Sequence, residues 1–174
     1  MSIRTLTATV AYAFVLLTQS VHADPESLVK VGGEVKQTIF LSRGDLMALK
    51  RRDYTETRTV TQDGKEAQVL IRYQGVPLKE LLDRAGLKPD RRVIRKAVVL
   101  LTAKDGYQTT FSWGELYNSS MGDGVIVVLR HGNEELLESD GLPALRSLQD
   151  DRSGPRHVRW LQRIEVLLPD ANAR

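Results

Sequence analysis

The chain has 174 residues, of which 41% are hydrophobic and 27% charged, enough for one domain with a real core and short of a second. It contains no cysteine, which excludes disulfide frameworks, C-x-x-C zinc sites, iron–sulfur clusters, thiol redox chemistry and any thiolate metal ligand. Twenty-five Lys and Arg against 22 Asp and Glu leave a net charge of +3, too small by itself to drive nonspecific binding to polyanions.

Arg4, the apolar stretch 10–17, then Thr18, Gln19 and Ser20, then Val21-His22-Ala23 before Asp24-Pro25 have the layout of a secretory signal peptide. The apolar stretch is too short for a hydrocarbon core that takes about 20 residues. The expectation is a leader over residues 1–23, cleaved after Ala23, and a mature domain over 24–174. No cysteine follows the cleavage point, so lipid attachment there is excluded. The mature chain loses one arginine and carries +2. It is expected in a bacterial periplasm, without a membrane span of its own and without nucleic acid as a partner. Intact-mass measurement of the exported protein is expected to give an N-terminus at Asp24; retained Met1 in soluble cytoplasmic protein would exclude export.

The mature chain shows no low-complexity segment, fixed-period repeat or Pro/Ser-rich linker. Residues 27–32 and 34–39 alternate as strands broken at Gly32-Gly33. Ser42 and Asp45 then stand at N-cap and third position of a helix, where a carboxylate meets free N–H groups. Residues 57–62 and 67–73 are β-rich runs around Asp63-Gly64, a hairpin signal. Pro77 opens a helix whose apolar face is Leu78, Leu81, Leu82 and Ala85 and which Gly86 stops.

Residues 97–103 form a continuous apolar run expected as an interior strand, turning at Asp105-Gly106 into a strand over 107–111. Ser112 and Glu115 have capping-box spacing and open a short helix through Tyr117. A buried strand over 125–129 leads to the turn His131-Gly132-Asn133, and a last strand covers 164–168. Strands outnumber helices and the helices are short inserts, so the fold class is α+β: a single compact domain of mixed, mainly antiparallel sheets.

Familiar catalytic patterns are missing. His22, His131 and His157 are scattered without H-x-x-x-H spacing, there is no G-x-S-x-G elbow, and Met121-Gly122-Asp123-Gly124 reads as a turn. Asp150-Asp151 reads as a solvated charged loop or as an acid/base pair. No catalytic residue and no protein metal ligand is therefore assigned. The segment with Arg152, Arg156, His157, Arg159 and Trp160 brings cations to one face in either helix or strand. It is either a solvated basic loop or a site for a planar or anionic ligand.

The order of Tyr73-Gln74-Gly75-Val76-Pro77-Leu78-Lys79-Glu80-Leu81-Leu82, Asp105-Gly106-Tyr107, the segment 141–146, and Arg156-His157-Val158-Arg159-Trp160-Leu161 before a terminal strand resembles the molybdopterin-binding domain of sulfite-oxidase-type oxidoreductases. The resemblance covers roughly residues 29–168 and implies a compact α+β fold around a pterin pocket lined by the Arg156-His157 segment. Catalytic members of that family hold molybdenum with a cysteine thiolate as well as the pterin dithiolene. This chain has none, and its Pro-Leu-Arg region is altered to Leu142-Pro143-Ala144-Leu145-Arg146.

That departure leads to the expectation of a protein that is not an enzyme. It resembles small exported pterin-binding regulators, with a non-molybdenum pterin as ligand and the periplasmic region of a membrane signalling protein, of the type that makes or degrades cyclic-di-GMP, as partner. The alternative is a molybdopterin-dependent oxidoreductase or accessory subunit lacking the cysteine ligand. In the expected site Arg156 offers its guanidinium fork to the acceptor edge of the pterin, with Asp150, Arg146 and His157 nearby. Asp150 or Glu115 accepts from the amino-pyrimidine edge, although Glu115 also caps its helix. Trp113 is a stacking platform or a core plug. Tyr107 is the last candidate and reads first as packing, its hydroxyl needing a partner if buried.

Overall fold

A computed structural model describes residues 27–88, 91–132, 134–135, 141, 143–150 and 154–169. The expected leader over 1–23, together with Asn133, Leu142, Asp151 and Arg152, lies outside them.

The expected hairpin around Asp63-Gly64 forms and is longer than the β-rich runs suggested: β3, Arg52–Gln62, and β4, Lys65–Pro77, pair antiparallel with unbroken register. Asp63 and Gly64 both have positive φ, 52° and 73°, the backbone that a two-residue hairpin loop requires and that glycine adopts without strain. β4 runs straight into helix α2, Leu78–Ala85, so Pro77 serves as N-cap rather than first helical residue. Leu78, Leu81, Leu82 and Ala85 are buried, and the chain leaves the helix through Gly86 at φ 70°.

Ser42 caps α1, Arg43–Ala48, and Ser112 caps α4, Trp113–Tyr117, each in a reciprocal capping box with the acid three residues on. The strand expected over 34–39 does not form. β1, Ser27–Gly33, is followed by β2 at Ile39–Ser42. The intervening backbone instead bonds to the end of α2, Lys36 N–H donating to the Gly86 carbonyl at 2.6 Å and Gln37 N–H to the Ala85 carbonyl at 3.1 Å. Capping orphan helix carbonyls outcompeted strand pairing for these donors.

After a short helix α3, Arg91–Ile94, come β5, Val98–Ala103, and β6, Gln108–Ser112. A 3-10 turn, Ser120–Asp123, follows α4 and leads to β7, Val125–His131. Beyond the two-residue strand β8, Glu134–Glu135, the altered Pro-Ala-Leu-Arg segment forms a strand the sequence did not announce, β9, Ala144–Ser147. The last strand is β10, Leu161–Leu167.

Two sheets result. One has the order β2-β1-β10-β5-β6, antiparallel except where β1 and β10 run parallel; the other has the order β3-β4-β7-β8, with β9 also on β7. The main core lies between them, joining Val29, Val31, Leu101, Phe111 and Ile164 of the first sheet to Val76, Val127 and Leu145 of the second, with α2 and Leu116 of α4. Each such side chain contributes about 1.5–3 kcal/mol on leaving water. β7 is buried on both faces: Ile126 and Val128 form a second cluster with Tyr73, away from the main core. That second face of the β3-β4-β7 sheet carries the candidate site.

Candidate functional site

Strand alternation places Tyr54, Glu56 and Arg58 of β3 on the same face as Tyr73 of β4, because Tyr54 pairs with Tyr73 and faces repeat every second residue. Arg146 of β9 pairs with Ile126 of β7 and joins that face. His157 is brought alongside by the bridge between Leu145 and Val158, whose backbones exchange bonds of 2.7 and 3.0 Å.

The buried Tyr73 hydroxyl donates to Glu56 Oε2 at 3.0 Å and accepts from Arg58 Nη2 at 3.3 Å, while Arg58 Nη2 also donates to Glu56 at 2.8 Å. Burial pushes the Tyr73 phenol above its usual value, so it stays a donor. The Tyr73 ring stacks on His131 at 5.4 Å, and the Arg146 guanidinium stands 5.9 Å from its centroid. Arg58 Nε is buried without a hydrogen-bond partner and is an unspent donor.

Arg146 Nη1 stands 2.5 Å from His157 Nδ1. A guanidinium only donates, so Nδ1 must carry the lone pair and the ring is neutral with its proton on Nε2. That proton points to the Ser147 carbonyl at 3.3 Å. Burial, then the Arg146 charge, hold the His157 pKa below its ordinary value, in agreement with a neutral ring. Arg146 is itself depressed by burial.

A second cluster adjoins the first through Ser147. Arg156 Nε donates to Asp150 Oδ2 at 2.9 Å, Nη1 to Glu115 Oε1 at 2.7 Å, and Nη2 to the other Asp150 oxygen and toward Met121 Sδ at 3.2 Å. Its guanidinium carbon lies 4.6 Å from the centroid of Phe111, which is fully buried. Ser147 Oγ adds a bond of 2.8 Å to Asp150. Burial would raise the pKa values of Asp150 and Glu115, but hydrogen bonds from Arg156 and from Ser147 or Ser112 outweigh it and hold both carboxyls below their usual range. Glu115 therefore caps α4 and grips Arg156 with its two different oxygens. Gly122 makes the approach of Met121 feasible: a Cβ there would stand 1.9 Å from the Leu116 carbonyl oxygen.

The candidates thus divide. Arg156, Asp150 and Glu115 are brought together, but they spend their donors and acceptors on one another. Arg146 and His157 meet at the other cluster. Trp113 is half-buried against the main core with its ring stacked on Tyr117 at 5.4 Å. Tyr107 is 44% exposed and its hydroxyl donates to the Pro155 carbonyl. Neither is tied to the two clusters by a hydrogen bond. Sequence reasoning passed over Glu56, Arg58 and, as a site residue, Tyr73; the period-2 alternation of Tyr54, Glu56 and Arg58 with threonines was the signal that could have found them.

The cleft that this wall borders, of about 350 Å³, is lined by residues 55–59 with Leu148 and Asp150, within the size range of small-molecule sites. A wider one of about 720 Å³ is lined by Asp53, Thr55, Arg72, Gln74 and Arg130, which alternation puts on the other face of the sheet, with Tyr54 and Tyr73 at its border. The donor set suits the anionic tail of a pterin through the guanidiniums of Arg146 and Arg58, while both ring nitrogens of His157 and the ring of Tyr73 are engaged within the wall. It offers molybdenum no thiolate, since the chain has no cysteine. Among the described residues no group of three or more His, Asp or Glu is placed to hold a metal.

Comparisons with known proteins agree with this architecture. The family model described as the oxidoreductase molybdopterin binding domain matches residues 19–173. The sulfane dehydrogenase SoxCD of Paracoccus pantotrophus has a similar structure, with TM-score 0.59 and 20% identity over 79% of this chain and 37% of that one. This chain thus spans little more than a third of the length of that relative. No curated protein matches. The expectation of a protein that is not an enzyme is corrected by these matches, because the matching family is one of oxidoreductase domains.

Proposed function

Since the chain belongs to the oxidoreductase molybdopterin-binding domain family, we propose that it is an oxidoreductase-type domain, or an accessory subunit of such an enzyme, that holds molybdopterin without a protein thiolate on the metal. The observation that carries this reading is the wall of Tyr73, Arg58, Arg146 and His157 beside the cleft of about 350 Å³ that Arg58 lines. When bound, the cofactor supplies metal redox chemistry through its own dithiolene sulfurs. The chain's residues do the holding: Arg146 and Arg58 present donors to an anionic group, neutral His157 keeps Arg146 oriented, and the Tyr73 hydroxyl, donating to Glu56 and accepting from Arg58, fixes that pair.

The test is to purify the full chain from its native compartment, then measure molybdenum by mass spectrometry and pterin by fluorescence after oxidation. Molybdenum and pterin are expected in equal amounts. Arg146→Ala is expected to weaken cofactor retention about ten- to a hundredfold, given about 1.5–3 kcal/mol for a hydrogen bond from a charged donor. Protein lacking any pterin after native purification, and failing to take one up, overturns the proposal.

The absence of cysteine favours a second reading of the same cleft, in which the bound pterin carries no molybdenum and the loaded domain contacts the periplasmic part of a membrane signalling protein. Pterin without molybdenum in the same measurement selects it.

A further inference from the structure

One long strand of the second sheet has an open edge. Among the described residues β3 pairs only with β4, along the whole of Arg52–Gln62, and β7 joins the far side of β4. Native sheet edges are usually blunted by proline, charged side chains or a bulge. β3 has no proline, lysine or bulge and reads Arg-Asp-Tyr-Thr-Glu-Thr-Arg-Thr-Val-Thr-Gln in continuous register; its central charges, Glu56 and Arg58, are of opposite sign and so repel a second strand only in some registers. A cleft of about 350 Å³ borders it, lined by residues 55–59 together with Leu148 and Asp150.

We infer that a second copy of this chain adds to this edge, antiparallel, about a two-fold axis through Thr57. Thr57 is the middle residue of the 11-residue strand, so such an axis pairs the strand with itself from end to end. Glu56 then stands opposite Arg58 of the second copy and Arg58 opposite its Glu56. Tyr54 meets Val60, Thr55 meets Thr59, and Thr57 meets itself. Directly opposed residues share a face, so the polar-apolar alternation matches across the join.

The charges also select the register. Sliding one strand by two residues sets Glu56 against Glu56 in one direction and Arg58 against Arg58 in the other. Sliding by one residue turns the two faces against each other. Within two residues of end-to-end pairing, only the register centred on Thr57 opposes unlike charges twice; centring on Tyr54 also opposes Arg52 and Glu56 but leaves only residues 52–56 paired. Within one chain the pair is already fixed, Arg58 Nη2 lying 2.8 Å from Glu56 Oε2, and Arg58 Nε has a donor to spare. The join would extend the β3-β4-β7 sheet through both copies and place their two candidate sites on one face, side by side.

The proposal is tested on the purified full chain by sedimentation. Wild type is expected as a dimer at about 100 μM, a concentration that populates a micromolar complex. Arg58→Glu and Glu56→Arg each replace both unlike pairs by like ones, and each is expected to weaken the dimer about tenfold or more. An equimolar mixture of the two variants restores unlike charges and is expected to form a heterodimer, as is self-association of the double variant Glu56→Arg/Arg58→Glu. This rescue distinguishes charge pairing from loss of folding.

A second measurement uses the absence of native cysteine. In Thr57→Cys the two thiols face each other with Cα atoms about 4.5–5.5 Å apart, within disulfide reach, so mild oxidation is expected to cross-link the copies. Thr61→Cys is the control, because its partner in this register is Asp53 and the two thiols stand about 26 Å apart. Three outcomes overturn the proposal: a monomer at that concentration, a dimer indifferent to both single charge changes, or cross-linking of Thr61→Cys as fast as of Thr57→Cys. A β3 edge that instead captures a different protein's strand would appear as monomer in this assay.

Discussion

Phe111→Ala is expected to lower stability by about 3–5 kcal/mol, the cost of removing a fully buried aromatic and leaving a cavity. For a chain of this size that is a fall of about 6–20 °C in melting temperature. The residue sits where β6 enters the main core, and the Arg156 guanidinium lies 4.6 Å above its ring. Losing the ring therefore removes the floor under Arg156 as well as core volume. Phe111→Leu keeps most of the volume and is expected to cost about 1–1.5 kcal/mol, since the shape change is small. Thermal unfolding followed by circular dichroism checks both; equal melting temperatures for wild type and Phe111→Ala would mean that β6 is not packed as described.

Arg156→Ala is expected to cost about 2–3 kcal/mol, because it leaves Asp150 and Glu115 without their cation. A fully buried pair broken in this way loses about 3–5 kcal/mol. The smaller figure follows from solvent access, since the side chains of Arg156, Asp150 and Glu115 are 23%, 10% and 36% exposed. Arg156→Lys recovers only part of the loss, because an ammonium cannot span both carboxylates with a planar fork.

The same network sets a pH dependence. Both carboxyls are held below their ordinary values in the folded chain, so the unfolded chain binds protons first as pH falls. Their contribution is complete above pH about 5 and disappears as pH drops through the depressed folded values. In Arg156→Ala the part of the depression that comes from Arg156 is lost, while the bonds from Ser147 and Ser112 remain. The melting-temperature gap between wild type and variant is expected to be widest near pH 7 and to close below pH about 4. A gap that stays constant from pH 7 to 3 would place the stabilisation elsewhere.

These effects show why Arg156, the residue that sequence reasoning singled out for a ligand edge, carries a different weight in the fold. Its guanidinium fork was expected to meet the acceptor edge of a pterin, and in the fold it is engaged by carboxylates. The partners it found are Asp150, six positions away, and Glu115, 41 positions away. Glu115 had been recognised as a cap, and it remains one; having two oxygens, it does both.

Features governed by near neighbours were legible in the sequence. Asp63-Gly64 dictates its hairpin because only a backbone with positive φ closes a two-residue loop. Ser112 and Glu115 dictate the start of α4 because the bonds that define it span three residues. The absence of cysteine denies any bound metal a protein thiolate, whatever the fold.

Pairing between distant segments was decided by the tertiary structure alone. β9 is four residues long and has no periodicity to announce it; it is a strand because β7 offers an unpaired edge. The parallel pairing of β1 with β10 joins the two ends of the domain. The meeting of Arg146 with His157, and of Tyr73 with Glu56 and Arg58, follows from those pairings. A local motif is fixed by dihedral angles and short hydrogen-bonded rings that its own residues supply. A site built across strands depends on which edges remain open when the whole chain has closed, and that is a property of the assembled sheets.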